Sequence, residues 1–271
     1  MREGTAKEIK FESIDSLFGI PDESKQHVTT MIPLESLYPY AQHPFRVLDN
    51  AKMDELVESI RENGVLEPAL VRPRTLGGYE IISGHRRKRA CEKAGLEEMP
   101  VIIRELTDDE SAILMVDSNN QREELLYSEK AWAYRIKYEA LKHQGKKSGK
   151  STLDQVGEAA GENSKKVQRY IWLSRLSDQM LQMVDEKRLG FSQGVDLSFL
   201  SKKSQQIVAD AIEKSKCTVS MGQSAKLKEY EKKNELTTTV VRLILEEKNV
   251  HKRKVTLKMD KLSQYFDDRY S

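Results

Sequence analysis

The chain has 271 residues, of which 32% are charged and 38% hydrophobic, and its formal net charge is only +2. That length suits two or three domains, and the modest apolar fraction suits small cores rather than one large sandwich or barrel. The near-balance of charge excludes a protein that holds nucleic acid through overall basicity, so any such affinity must come from local patches.

Residues 1–30 have no sustained period and read as a flexible arm or a partner-binding one, with a short amphipathic piece around Ile14, Leu17 and Phe18. From Met31 the pattern sharpens. "MIPLESLYPY" is a strand-and-turn entry. In "DNAKMDELVESIRENG", Met53, Leu56, Val57 and Ile60 fall at i, i+3, i+4 and i+7, with Asp49 or Asn50 to cap the start and Gly64 the end, which predicts an amphipathic helix. "VLEPALVRP" reads as a strand interrupted by Pro68, "TLGGYEII" as a turn and strand, "GHRRKRACEKAG" as a helix ended by Gly95, and "MPVIIREL" as a strand. Thr107 and Glu110 have the spacing of a capping box for the helix that follows. Strands alternating with helices over 31–125 predict a small α/β domain. Over 126–233 the reading is all helical; "SEKAWAYRIKYEALKHQG" is a helix with Trp132, Ile136 and Ala140 on one face. Residues 234–271 read as a C-terminal element, either for dimerisation or as a tail. The fold class is therefore α+β, a small α/β domain followed by an all-α one.

Two cysteines, Cys91 and Cys217, make no disulfide framework or CxxC site and suit a reducing cytoplasm. The five histidines, at 27, 43, 85, 143 and 251, have no zinc-ligand spacing. No apolar run approaches the ~18 residues of a membrane span, and the N-terminus has no apolar core of a secretory signal.

Two stretches carry chemistry. In 151–173, Ser151 caps one helix, Gly161 supplies the left-handed corner and Ser164 caps a second helix whose core residues are Val167, Tyr170, Ile171 and Leu173. Lys165, Lys166, Gln168 and Arg169 are left on the outer side of its first turns, where a helix-turn-helix enters the major groove. Lys147 and Lys150 in the preceding linker add phosphate attraction. An ordinary helical hairpin with a charged face fits the same spacing. In "IISGHRRKRACEKAG", a Ser-Gly turn opens straight into a helix bearing Arg86 and Arg87, so free backbone N–H groups and guanidinium forks can meet one phosphate. No GxxxxGK[ST] loop is present, and a solvated basic face has the same composition.

Taken in order, these segments resemble the ParB family of DNA partition proteins from about Met31 to Lys233. "GVLEPALVRP" is similar to its Gly-x-x-x-Pro segment, "YEIISGHRRKRA" to its Gly-Glu-Arg-Arg box and "DSNNQRE" to its Glu-Asn-x-Gln-Arg box, with the helix-turn-helix following. The resemblance implies a homodimer that binds a palindromic, centromere-like site on double-stranded DNA, is gated by CTP with magnesium, and works with a ParA-type ATPase on a plasmid or chromosome. It assigns the nucleotide to Gly64, Pro68, Gly84, His85, Arg86, Arg87, Asn119, Gln121 and Arg122. Two positions depart from the pattern: the family's glutamates fall at His85 and at Ser118, a serine cannot supply the carboxylate that a hard cation prefers, and Asp117, one residue off, substitutes only with a shift of the backbone. Nucleotide binding is thus the expectation, hydrolysis is left open, and the metal ligands are unassigned. A sulfiredoxin-like thiol reaction does not fit, because Gly84 stands where the reactive cysteine would be, and a small-molecule kinase would need no helix-turn-helix. A transcriptional regulator or nucleoid-occlusion-like factor on the same scaffold remains the alternative.

Overall fold

The computed structural model describes residues 28–120, 122, 125–145, 149–215 and 217–247. They fall into two compact units, one drawn from Met1–Arg122 and Glu139–Lys147, the other from Glu123–Tyr138 and Ser148–Ser271.

The first unit is built on β1 (Thr29–Pro33), β2 (Leu37–Pro39), β3 (Ala69–Pro73), β4 (Tyr79–Ser83) and β5 (Glu98–Ile103), in the spatial order β1-β5-β3-β4-β2. The sheet is mixed. β1 runs antiparallel to β5 with Met31 opposite Pro100, β3 is parallel to β5 and antiparallel to β4, and β2 is parallel to β4. Helices α1 (Ala51–Asn63), α2 (His85–Ala94) and α3 (Asp108–Asn119) join this unit. Met53, Val57 and Ile60 of α1 and Cys91 of α2 meet Val71, Ile81, Met99 and Val101 of the sheet in one core, where burial of each large side chain is worth about 1.5–3 kcal/mol. Leu56, expected on that face, is only partly buried. The α1 cap is Asn50, whose Oδ1 accepts from the Met53 N–H, and Gly64 follows the last turn at φ +71°. Pro68 lies just before β3 rather than inside it, where its missing N–H interrupts no ladder. Thr107 and Glu110 form the expected capping box on α3. Arg72 spans two carboxylates, Glu80 at 2.6 Å and Asp108 at 2.7 Å, and Glu80 also accepts from the Ala41 N–H, fixing the irregular chain after β2.

The described helices continue with α4 (Tyr127–His143), α5 (Thr152–Ala160), α6 (Ser164–Leu173), α7 (Asp178–Asp185), α8 (Phe191–Leu197), α9 (Lys202–Ser215), α10 (Met221–Lys232) and α11 (Thr238–Glu246). On α4 the expected face is displaced: Ala131, Ala133, Tyr134 and Ala140 are buried while Trp132 is exposed, its ring under the Arg135 guanidinium. The small buried residues let this helix pack closely. Within 234–271, the described portion holds α11, whose Val241, Ile244 and Leu245 are buried. The side-chain amide of Gln223, on α10, donates to the carbonyls of Ile244 (2.9 Å), Leu245 (3.2 Å) and Glu247 (3.3 Å), satisfying the free end of that helix. Residues 1–27 and 248–271, which contain most of the expected arm and C-terminal element, lie outside the described residues.

Among the described residues no helix is long and apolar enough to cross a membrane. Cys91 is buried and Cys217 half-buried, both as free thiols.

Candidate functional site

Gly84 ends β4 and opens α2 at φ +112°, a conformation that L side chains rarely adopt. A Cβ there would lie 2.7 Å from the Ala69 Cβ, so only glycine allows the turn to pass this close to β3. No side chain caps α2, and its first N–H groups, with the positive end of its dipole, face a cavity of about 430 Å³. That volume falls within the roughly 300–1,000 Å³ of small-molecule sites.

Seven of the nine residues expected at the nucleotide site line this cavity: Gly64, Gly84, His85, Arg86, Arg87, Asn119 and Arg122. Pro68 does not line it, but its carbonyl accepts from Arg87 Nη1 at 2.7 Å, as does the Glu67 carbonyl at 2.7 Å. Arg87 therefore staples the Gly-x-x-x-Pro segment to α2, and burial pulls its pKa below the ordinary arginine value. Arg86 makes a longer bond to the Lys52 carbonyl, 3.4 Å. Arg89 and Lys88 are spent elsewhere: Arg89 pairs with Asp49 at 2.7 Å, and Lys88 with Glu92 at 3.0 Å. Asn119 Nδ2 and Ser118 Oγ both donate to the Met115 carbonyl, at 2.9 and 3.0 Å. Gln121 lies outside the described residues.

His43 is among the cavity residues that the sequence did not disclose. It sits in irregular chain between β2 and α1, where no period marks it, and its ring lies against His85 with centroids 3.7 Å apart and planes tilted by 33°. The Tyr40 N–H donates to His85 Nε2 at 3.4 Å, which fits a neutral ring protonated at Nδ1. Burial holds His85 down to about 3, helped by His43 and Lys88; burial also holds His43 down to about 4, with Arg122 adding to the effect and a hydrogen bond to the Phe45 backbone opposing it.

A divalent cation fits this lining poorly. Among the described residues the cavity wall holds one carboxylate, that of Glu67, and it lies 3.5 Å from the Arg87 guanidinium. Among the described residues no cluster of three or more His, Cys, Asp or Glu side chains is positioned to hold a metal.

The second candidate site is the α5–α6 corner. Ser151 caps α5 as expected, and Gly161 turns the corner at φ +65°. The α6 cap is Asn163, not Ser164: Asn163 Oδ1 accepts from the Lys166 N–H at 2.8 Å, and Ser164 becomes the first helical residue. Either side chain can cap a helix; asparagine wins because the corner is one residue shorter than the Ser164 reading required. Gly157, buried inside α5, lies so close to the Glu162 carbonyl that a Cβ would collide with it. Val167, Tyr170, Ile171 and Leu173 are buried. Lys165 and Lys166 are exposed, with Lys166 paired to Glu162 at 2.7 Å. Gln168 is half-buried, and Arg169 turns toward α8, donating to Ser192 Oγ at 2.7 Å over the Phe191 ring. Lys150 pairs with Glu158 at 2.7 Å. Lys147 lies outside the described residues. Burial, then the Glu162 charge, pushes the Tyr170 hydroxyl up to about 12, so it stays protonated.

A family model, the ParB N-terminal domain, matches residues 20–120. The chain is similar to the probable chromosome-partitioning protein ParB of Vibrio cholerae, 32% identical over 190 residues that make up 69% of this chain and 61% of that one. It is similar to a nucleoid occlusion protein of Listeria monocytogenes, 30% identical over 194 residues, 72% of this chain and 64% of that one. It is also similar to the stage 0 sporulation protein J of Bacillus subtilis, 30% identical over 207 residues, 74% of this chain and 70% of that one. The chain thus spans under two thirds of the length of the first two.

Proposed function

We propose, starting from the fact that this chain belongs to the ParB family, that it is a site-specific DNA-binding partition protein gated by CTP. The nucleotide occupies the cavity at the start of α2, its phosphates on the α2 N–H groups, Arg86, Arg87 and Arg122, with Gly64, Pro68, Asn119 and Gln121 shaping or completing the wall. The α5–α6 pair reads double-stranded DNA, with Ser164, Lys165, Lys166 and Gln168 on the groove side, Arg169 reaching DNA by leaving its contact with Ser192, and Lys147 and Lys150 meeting phosphate. The protein works in the cytoplasm as a homodimer on a palindromic site, with a ParA-type ATPase as partner. The reading stops at nucleotide binding, because Ser118 stands in place of the family's glutamate.

The observation that carries this reading is the convergence of Gly64, Gly84, His85, Arg86, Arg87, Asn119 and Arg122, drawn from three separate motifs, on one cavity at a helix N-terminus. Calorimetric titration of the four ribonucleoside triphosphates into the full chain tests it. CTP is expected to bind and the other three not, and Arg86→Ala to lose binding. A chain that binds no nucleotide overturns the gating.

The Listeria relative supports a second reading, in which the same DNA binding serves nucleoid occlusion or regulation without partition. Stimulation of a ParA-type ATPase by the DNA-loaded chain favours partition; absence of stimulation favours the alternative.

A further inference from the structure

The cavity at the start of α2 is unusually poor in negative charge for a site that takes a triphosphate with a divalent ion. Magnesium bound beside a nucleotide ordinarily leans on one or two protein carboxylates in addition to phosphate and water. Among the described residues the lining carries three arginines and two histidines against one carboxylate, that of Glu67, which is turned toward Arg87. Ser118 lines the cavity with its hydroxyl donated to the Met115 carbonyl, and its neighbour Asp117, which accepts from the Asn120 side chain at 3.2 Å, is not in the lining.

The histidines add a second observation. His43 and His85 lie ring against ring in the cavity wall, beside the positive end of α2. The charged groups facing them are cationic from each side: Lys88 on α2 acts on His85, Arg122 after α3 acts on His43, and each ring acts on the other. Such surroundings exclude a proton while the cavity is empty of anion. A polyphosphate entering there brings several negative charges within a few ångströms, and each is worth about 3 kcal/mol to an imidazolium at 5 Å with an effective dielectric constant near 20.

We propose that this cavity binds its nucleoside triphosphate without a divalent cation, the phosphate charge being met by Arg86, Arg87 and Arg122 and by proton uptake on the His43–His85 pair. The proposal rests on the nucleotide reading given above and departs only from the magnesium that the family resemblance implies. The step is a proton equilibrium, with the proton taken from solvent and no covalent bond to the nucleotide made or broken. Its consequence is that binding tightens as pH falls, in the direction opposite to a site that relies on magnesium, whose ligands must shed protons.

The test is calorimetry of CTP binding to the full chain, once with a chelator and once with millimolar magnesium, near pH 6 in two buffers of different ionisation enthalpy. Affinities with and without magnesium are expected to agree within about threefold, a difference of under 1 kcal/mol. The wild type is expected to take up more protons per CTP than His43→Gln/His85→Gln, a comparison that cancels the nucleotide's own titration. Binding that appears only with magnesium overturns the proposal while leaving the nucleotide reading intact, and equal proton uptake in the two proteins also overturns it. Binding under neither condition removes the nucleotide reading itself. If the double variant does not fold, the histidine ring signals of the wild type, followed by NMR on adding CTP, decide the protonation directly: rings that stay neutral overturn it.

Discussion

Gly84 and Ala69 approach so closely that a methyl group on the glycine would sit 2.7 Å from the alanine Cβ and 3.2 Å from its Cα. Both contacts are to atoms fixed by the backbone, so neither can swing aside, and the φ of +112° adds strain for any L side chain. Gly84→Ala is expected to lower stability by about 2–3 kcal/mol and to remove CTP binding. Urea denaturation followed by far-UV circular dichroism checks the first, and calorimetry the second.

Arg87 gives two hydrogen bonds to consecutive carbonyls from one nitrogen of its planar guanidinium, whose position a lysine ammonium on a flexible stem does not fix. Arg87→Lys is expected to cost about 1–3 kcal/mol, through carbonyls that lose their donor, and to weaken CTP binding although the charge remains. A urea midpoint equal to wild type would show that the two bonds contribute little.

The histidine pair gives the folded protein a dependence on acid even before any nucleotide arrives. Both rings titrate below the ordinary 6.5, at about 4 for His43 and about 3 for His85. Between 6.5 and those values the unfolded chain binds more protons than the folded one, so stability falls as pH falls through that window and is untouched by these groups above it. Urea midpoints measured from about pH 7.5 down to about 5 should decline in the wild type. In His43→Gln/His85→Gln the decline should be shallower.

At the α5–α6 corner, the two outward lysines and Arg169 should separate by behaviour. Lys165→Ala is expected to weaken DNA binding about equally for all sequences and to reduce the salt slope by about one. Arg169→Ala also loses the contacts to Ser192 and Phe191, the latter worth about 0.5–2 kcal/mol. It should therefore lower the thermal midpoint as well as affinity. Fluorescence anisotropy over a salt series, with a parallel melt, distinguishes the two.

Gly157→Ala places a methyl group against the Glu162 carbonyl, in the corner that sets the angle of α6. Loss of specific DNA binding with CTP binding preserved is the expected result, measured on the same preparation.

The amphipathic stretches were the most legible. Met53, Val57 and Ile60 announce α1 by spacing, and Thr107 with Glu110 announces α3 by a capping box, because both signals are local and backbone-driven. The arginines of the basic helix were legible as a phosphate cradle, yet the role of Arg87 as a staple depends on a segment about twenty residues earlier arriving beneath it, which no local pattern encodes. His43 was invisible for the same reason: its partner is brought to it by β4. Asn163 and Ser164 are both good caps, and a one-residue difference in the corner decided between them. Gly157 did carry a signal, a glycine within a helical pattern, and its meaning became readable only with the Glu162 carbonyl beside it.

Gln223 grips three carbonyls at the end of α11, from a side chain that is itself buried on α10. Tension applied to the chain after Glu247 would load the bond to the Glu247 carbonyl before it reached the buried Leu245, Ile244 and Val241. The helix end thus acts as a mooring, and a pull along the polypeptide would be resisted first by one amide group rather than by the apolar packing behind it.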